Sequence, residues 1–439
     1  MSDKVPKRLA NTIMSALKAG VTPRVGLEYI AVGRRNEISS LLHDVDIIMD
    51  GGGSFRFIVG EYGSGKSFLM QIIRNYSMDK GLVVMDADLS PERRLSGSGK
   101  GLATYKELVK NMSVKTKPDG GALPLILEKW ISSIQAEVAA ETGLDVGSKL
   151  FDMGVHKKIM LIASEMESLV NGFDFAKVIL AYYEAYLAGN DQRMSAALRW
   201  FRGEYTTKTE AKNALNINLI IKDDNWYDVI KLFSLFMYKA GYTGLLVCLD
   251  ELVNVMKIPN AVSRQNNYEK MLAMYNDILQ GKAARLGVIM GGTPQAVEDP
   301  HKGVFSYEAL RSRLAEGRFA KEGLKDLLAP IIRLTALSQE ELYVLMEKLA
   351  KIHSDLYGSE MTISHETLLL FLSKEYQRAG ATTRLNVREV TRDFIEFLNI
   401  AEQNPDKEHG EILEDPEFSY AKPIVGDEEI DEPFAEFEV

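Results

Sequence analysis

The chain has 439 residues, 46% hydrophobic and 26% charged, the make-up of an ordinary globular protein with room for two or three domains. Its single cysteine, Cys248, excludes an internal disulfide framework and any cysteine-built zinc site. No apolar run reaches the roughly 18 residues that span a bilayer, and the charged start is followed by no signal-type apolar stretch, so a cytoplasmic protein without membrane contact is expected.

Net charge is −10, yet residues 401–439 alone hold fourteen Asp/Glu against two Lys. The rest of the chain is therefore close to neutral, and the acidic total says little about whether some face binds nucleic acid. Residues 1–25 read as a basic helical arm, with Leu9, Ile13, Met14 and Leu17 on one side and Lys4, Lys7, Arg8 and Lys18 elsewhere. Such a helix either packs on the body or reaches out to a partner or DNA. The core is expected to begin near residue 26, with Val32-Gly33-Arg34-Arg35 ahead of a helical pattern carrying Ile38, Leu41, Leu42, Val45 and Ile48.

Phe55 to Val59 is an apolar, β-prone run that leads into Gly60-Glu61-Tyr62-Gly63-Ser64-Gly65-Lys66-Ser67, followed by helix-compatible sequence from Phe68. This is the spacing of a phosphate-binding P-loop. Glycines let successive N–H groups curl inward at phosphate oxygens, Lys66 can reach the β- and γ-phosphates, and Ser67 can hold Mg²⁺. The helix behind the loop turns its positive end toward the same anion. ATP and Mg²⁺ are the expected ligands.

Gly81 to Asp88 reads as a buried strand whose Asp86 and Asp88 either cap the strand end or border the ligand crevice. The first part of the core closes near residue 102. Residues 103–240 have a helical period throughout, too long for one strand-to-helix connection, and form a helical insertion or subdomain. Within it, Arg199-Trp200-Phe201-Arg202 could stack on bases or form a helix end with aromatics inside and arginines in water.

The core resumes over residues 241–335. Gly244 to Glu251 is an unalternating apolar run ending in two carboxylates, a Walker B strand. Asp250 is placed in the Mg²⁺ shell and Glu251 as the carboxylate that orients the attacking water. Leu286 to Thr293 is a further strand, its end formed by Gly-Gly-Thr-Pro; Thr293 either contacts the γ-phosphate or water, or simply makes the turn. Arg311 and Arg313 follow it. Residues 336–402 read as a small helical domain, opened by a Ser338-x-x-Glu341 capping box, and residues 403–439 as a disordered acidic tail.

Taken together, Gly60–Ser67, Arg199-Trp200-x-x-Gly203-Glu204, Gly241-Tyr242 to Asp250-Glu251, Gly292-Thr293-Pro294 and Leu310-x-x-Arg313-Leu314 resemble the P-loop ATP-binding proteins of bacterial BREX phage-defence systems. The resemblance runs from about residue 26 to 398. More distantly the layout resembles AAA+ initiator ATPases of the Orc/Cdc6 type. It implies an α/β fold: an AAA+-type core of parallel sheet and helices, a large helical insertion and a C-terminal helical lid. In that layout Gly33 and Arg34 lie where adenine is clasped, and Thr293 where a sensor stands. Arg313 (with Arg311 as the alternative) falls where an arginine serves a neighbouring subunit, and Arg388 where a lid carries a second sensor. The implied function is a defence-system ATPase acting on DNA or with a helicase or nuclease partner, as a homo-oligomer or in a complex. The alternative from the near-neutral body and acidic tail is a nucleotide-switched scaffold with slow or no productive hydrolysis and no direct DNA contact.

Overall fold

The computed structural model describes residues 4–166, 169–315, 317, 326–358, 363–379 and 385–414. Of the tail expected to be disordered over residues 403–439, the part His409–Glu414 is instead a helix that buries Ile412 and Leu413, and residues 415–439 lie outside the described residues. The chain divides into two compact units, residues 22–338 and residues 1–21 with 339–439.

The larger unit is built on five parallel strands: β1 (Ser54–Val59), β2 (Val83–Asp88), β3 (Leu245–Asp250), β4 (Leu286–Gly292) and β5 (Ile331–Arg333). Their order across the sheet is β2-β3-β4-β1-β5. The strands are mainly apolar, interrupted by Arg56 in β1 and by Asp86 in β2, because helices cover both faces and alternate residues enter different cores. Phe55, Phe57, Met85, Val247 and Met290 point to one face, and Ile58, Val84, Leu246, Cys248 and Ile289 to the other. The second face is closed by the helices Arg35–Met49 and Lys66–Asp79.

The first face is covered by the helical insertion. Leu123–Thr142, Lys149–Met166, Gly172–Leu187, Asp191–Phe201 and Trp226–Lys239 contribute Trp130, Phe151, Phe175, Trp200 and Phe233 to the same cluster as the strands. Insertion and sheet therefore share one core. The Arg199–Glu204 stretch takes its place in it as a helix end. Trp200 is buried and its indole N–H donates to the Leu219 carbonyl at 2.8 Å. Arg199 pairs with Glu210 at 2.8 Å and lies over the Tyr205 ring. Of the two readings of this stretch, the packed helix end is the one observed.

Two ion pairs, one buried and one half-buried, hold the helices to the sheet. Arg56 of β1 meets both Asp44 oxygens, at 2.6 and 2.9 Å, and also donates to the Ala329 carbonyl. Arg74 joins Asp86 at 2.9 Å, Ser113 at 2.7 Å and the Pro118 carbonyl at 2.6 Å. Asp86 is thereby committed to structure. Cys248 is fully enclosed, and burial pushes its thiol far above the usual range, so it behaves as a small core residue.

In the smaller unit α1 (Lys7–Lys18) packs on the helices Gln339–Tyr357 and Val387–Gln403, burying Ala10, Ile13 and Met14. The N-terminal segment thus folds with the C-terminal helices as one body. Among the described residues no helix is long and apolar enough to cross a membrane.

Candidate nucleotide and cation site

The loop between β1 and the helix Lys66–Asp79 is where an inner strand, flanked by β4 and β5, gives way to a helix N-terminus. Gly65 caps that helix at φ +92°, a left-handed backbone that costs an L side chain about 1–2 kcal/mol and costs glycine nothing. Gly63 bends the same way. The resulting curl brings the Lys66 ammonium onto the Gly60 and Glu61 carbonyls at 2.8 and 2.9 Å. Tyr62 stands outward, with Lys66 5.4 Å from its ring centre, and Phe68 is half-buried on the first helical turn. Ser64 is buried and its hydroxyl has no hydrogen-bond partner among the described residues.

Arg34 grips this loop from behind. Its guanidinium is buried and donates to the Ser64 carbonyl at 3.0 Å and the Thr335 carbonyl at 2.7 Å. Gly33 precedes it in a left-handed turn. Arg34 therefore meets main chain of the loop itself.

The end of β3 reaches the same place from 183 residues away. The Ser67 hydroxyl donates to Asp250 Oδ2 at 2.8 Å, and the other oxygen, Oδ1, accepts the Glu251 N–H at 2.8 Å. Two oxygens on neighbouring vertices of a Mg²⁺ octahedron, with metal–oxygen bonds of about 2.0–2.1 Å, lie about 2.9 Å apart. The Ser67–Asp250 pair thus has a spacing that suits one edge of such a shell. Among the described residues no cluster of three or more His, Cys, Asp or Glu forms a metal cage. That donor set fits a cation that keeps waters and takes its remaining ligands from phosphates.

Glu251 sits at φ +64°, one of four non-glycine residues with positive φ among the described residues. Such strain costs on the order of 1–3 kcal/mol and persists only where its surroundings enforce it. Here the Asp250–Glu251 bond, and the Leu89 N–H donating to the Asp250 carbonyl at 3.0 Å, hold the turn. Asp88 lies directly opposite Asp250 in the β2–β3 register. Burial first, and the Asp250 charge second, raise its carboxyl above the ordinary range.

β4 lies between β1 and β3, so its end faces both motifs. A Cβ on Gly291 would fall 2.2 Å from Asp250 Oδ1, which makes the absence of a side chain there a condition for the carboxylate's position. A glycine inside an apolar strand is the sequence signal for such an approach, and Gly291 is the residue the motif reading passed over. Replacing Gly291 by alanine is expected to cost about 1–3 kcal/mol of overpacking and to displace Asp250. A thermal melt together with Mg²⁺-dependent nucleotide binding checks this; an unchanged melt and unchanged cation dependence would refute it.

Thr293 is buried and its hydroxyl accepts the Ala296 N–H at 3.2 Å, capping the helix Pro294–Glu298. The hydroxyl retains its own hydrogen to donate. Arg313 lies on the helix Glu308–Leu314, bonded to its own Ala309 carbonyl at 2.7 Å, and Arg311 pairs with Glu308 one turn away. Arg388 belongs to the smaller unit, in the first turn of Val387–Gln403, where Asn386 caps its N–H. Lys66, Ser67, Asp250 and Glu251 are thus gathered at one edge of the sheet with Arg34 behind them. Thr293 follows the neighbouring strand.

The family model of the BREX system ATP-binding proteins BrxC/D matches residues 5–417. Comparison with curated proteins gave no match.

Proposed function

Since this chain belongs to the family of BREX system ATP-binding proteins, we propose that it is the Mg²⁺-dependent ATPase of such a defence system, with an AAA+-type P-loop core and a helical lid. Membership makes it a defence-system ATP-binding protein; hydrolysis, and work on DNA or with a helicase or nuclease partner in the cytoplasm, are the reading put forward here. The observation that carries it is the 2.8 Å bond between Ser67 and Asp250, which joins the two motifs that a nucleoside triphosphatase needs.

In this reading the Gly60–Ser67 backbone and the N-terminus of Lys66–Asp79 cradle the phosphates. Lys66 exchanges its bonds to the Gly60 and Glu61 carbonyls for the β- and γ-phosphates. Ser67 and Asp250 hold Mg²⁺, which when bound draws charge from the terminal phosphates. Glu251 aligns the attacking water. Thr293 turns its free hydroxyl hydrogen toward the terminal phosphate or that water. Arg313 answers charge on a neighbouring copy's nucleotide, Gly33 and Arg34 border the base, and Arg388 supplies a second sensor.

Lys66→Ala tests the core of the proposal. A charge-assisted hydrogen bond contributes about 1.5–3 kcal/mol, so ATP affinity should fall roughly 10- to 150-fold. Titration with a fluorescent ATP analogue measures it. Parent-like affinity in the variant would remove the P-loop assignment.

A further inference from the structure

The buried side of α1 is accounted for by the helices it packs on, but its other side is not. Ala10, Ile13 and Met14 are buried, while Lys7, Arg8, Asn11, Thr12, Ser15 and Lys18 are all exposed. At 100° per residue these six positions lie on one side of the helix. Lys4, just ahead of the first turn, is exposed as well. Helix α1 contains no Asp or Glu, and none of these four cations is ion-paired among the described residues. Elsewhere exposed cations do find carboxylates, as Lys115 does with Asp79 at 3.0 Å. At Gly20, where α1 ends, the Arg388 side chain runs alongside, so a fifth cation borders the same helix.

We propose that the solvent face of α1 is a nucleic-acid backbone contact: a row of cations and small hydrogen-bonding side chains that takes successive phosphates. The side-chain types are those that proteins turn to phosphate oxygens, Lys and Arg with Ser, Thr and Asn between them. From Arg8 to Lys18 the helix rises about 15 Å, the length of roughly four phosphates along one strand. A lipid surface is a poor match, because the apolar side that would enter it is already buried. A folded protein partner is a poor match too, because the face has no aromatic or aliphatic anchor. Contacts of this kind position the duplex without reading its sequence. The proposal rests on the DNA-directed part of the function put forward above and is independent of its ATP part.

The test uses the full chain and a K7A/R8A/K18A variant, which leaves Arg388 and the nucleotide site untouched. Binding of a fluorescein-labelled duplex is followed by anisotropy across salt concentrations, with single-stranded DNA as a second arm. The parent should lose affinity linearly in log salt, at about 0.9 per neutralised phosphate for duplex and about 0.7 for a single strand. The variant's slope should be shallower by about 2–3, its low-salt affinity about 10- to 100-fold lower, and K7R/K18R should behave as the parent. ATP-analogue binding and thermal melting should be the same in all three. Equal slopes in parent and variant overturn the proposal. Absence of DNA binding by the parent overturns it as well, and retained ATP binding in that case leaves the nucleotide site standing. Cation-dependent binding of an acidic peptide, with no binding of DNA, overturns it in favour of an acidic protein partner.

Discussion

Exchange of Glu251 for glutamine is expected to leave ATP affinity within a few-fold of the parent and to cut turnover by about 10²- to 10⁴-fold. The substitution keeps size and the left-handed backbone at φ +64°, so the Asp250–Glu251 turn survives. It removes only the charge that polarises a water. A single-turnover assay with radiolabelled ATP, next to equilibrium binding, separates the two effects. Parent-like turnover would strip Glu251 of its catalytic role. Near-zero turnover in the parent itself, with and without DNA, would instead favour a nucleotide-switched scaffold.

Trp200→Ala should be the most damaging change away from the site. The indole is buried against Phe175 and Phe201, and such deletions cost about 3–5 kcal/mol. The variant also leaves the Leu219 carbonyl without its 2.8 Å donor, a further penalty of roughly 1–3 kcal/mol. Because the insertion and the sheet share one core, the loss should appear as a lower unfolding midpoint for the larger unit. Melting within a degree of the parent would contradict this, and would return the Arg199–Glu204 stretch to a binding role. Arg199→Ala should be milder, since its partners Glu204 and Glu210 are half-exposed at the surface.

Much of the candidate site was legible because its chemistry is local. A phosphate cradle needs glycines, a lysine and a hydroxyl within eight residues, and a buried strand ending in two carboxylates needs one apolar run. Strand runs at β1 to β4 were equally plain. β5 was not: Ile331–Arg333 is three residues long, too short to show any period. The insertion of β4 between β1 and β3 has no local signature, since each strand is read before its neighbours are known. The contacts of Arg34 have no signature in the sequence, because it bonds carbonyls, and every residue has one. The packing of α1 on helices more than 300 residues later is a long-range fact of the same kind.

Arg34 divides one guanidinium group between the Ser64 carbonyl of the loop and the Thr335 carbonyl just beyond β5. Thr335 is three residues before Ser338, where the larger unit ends and the chain passes into the other. A rigid, planar group with fixed donor directions cannot follow two acceptors that part company. Any ligand that draws the Ser64 peptide toward itself therefore forces a choice: Thr335 moves with the loop, or it is let go. The loop and the chain leaving the larger unit are thus fastened by one and the same guanidinium group.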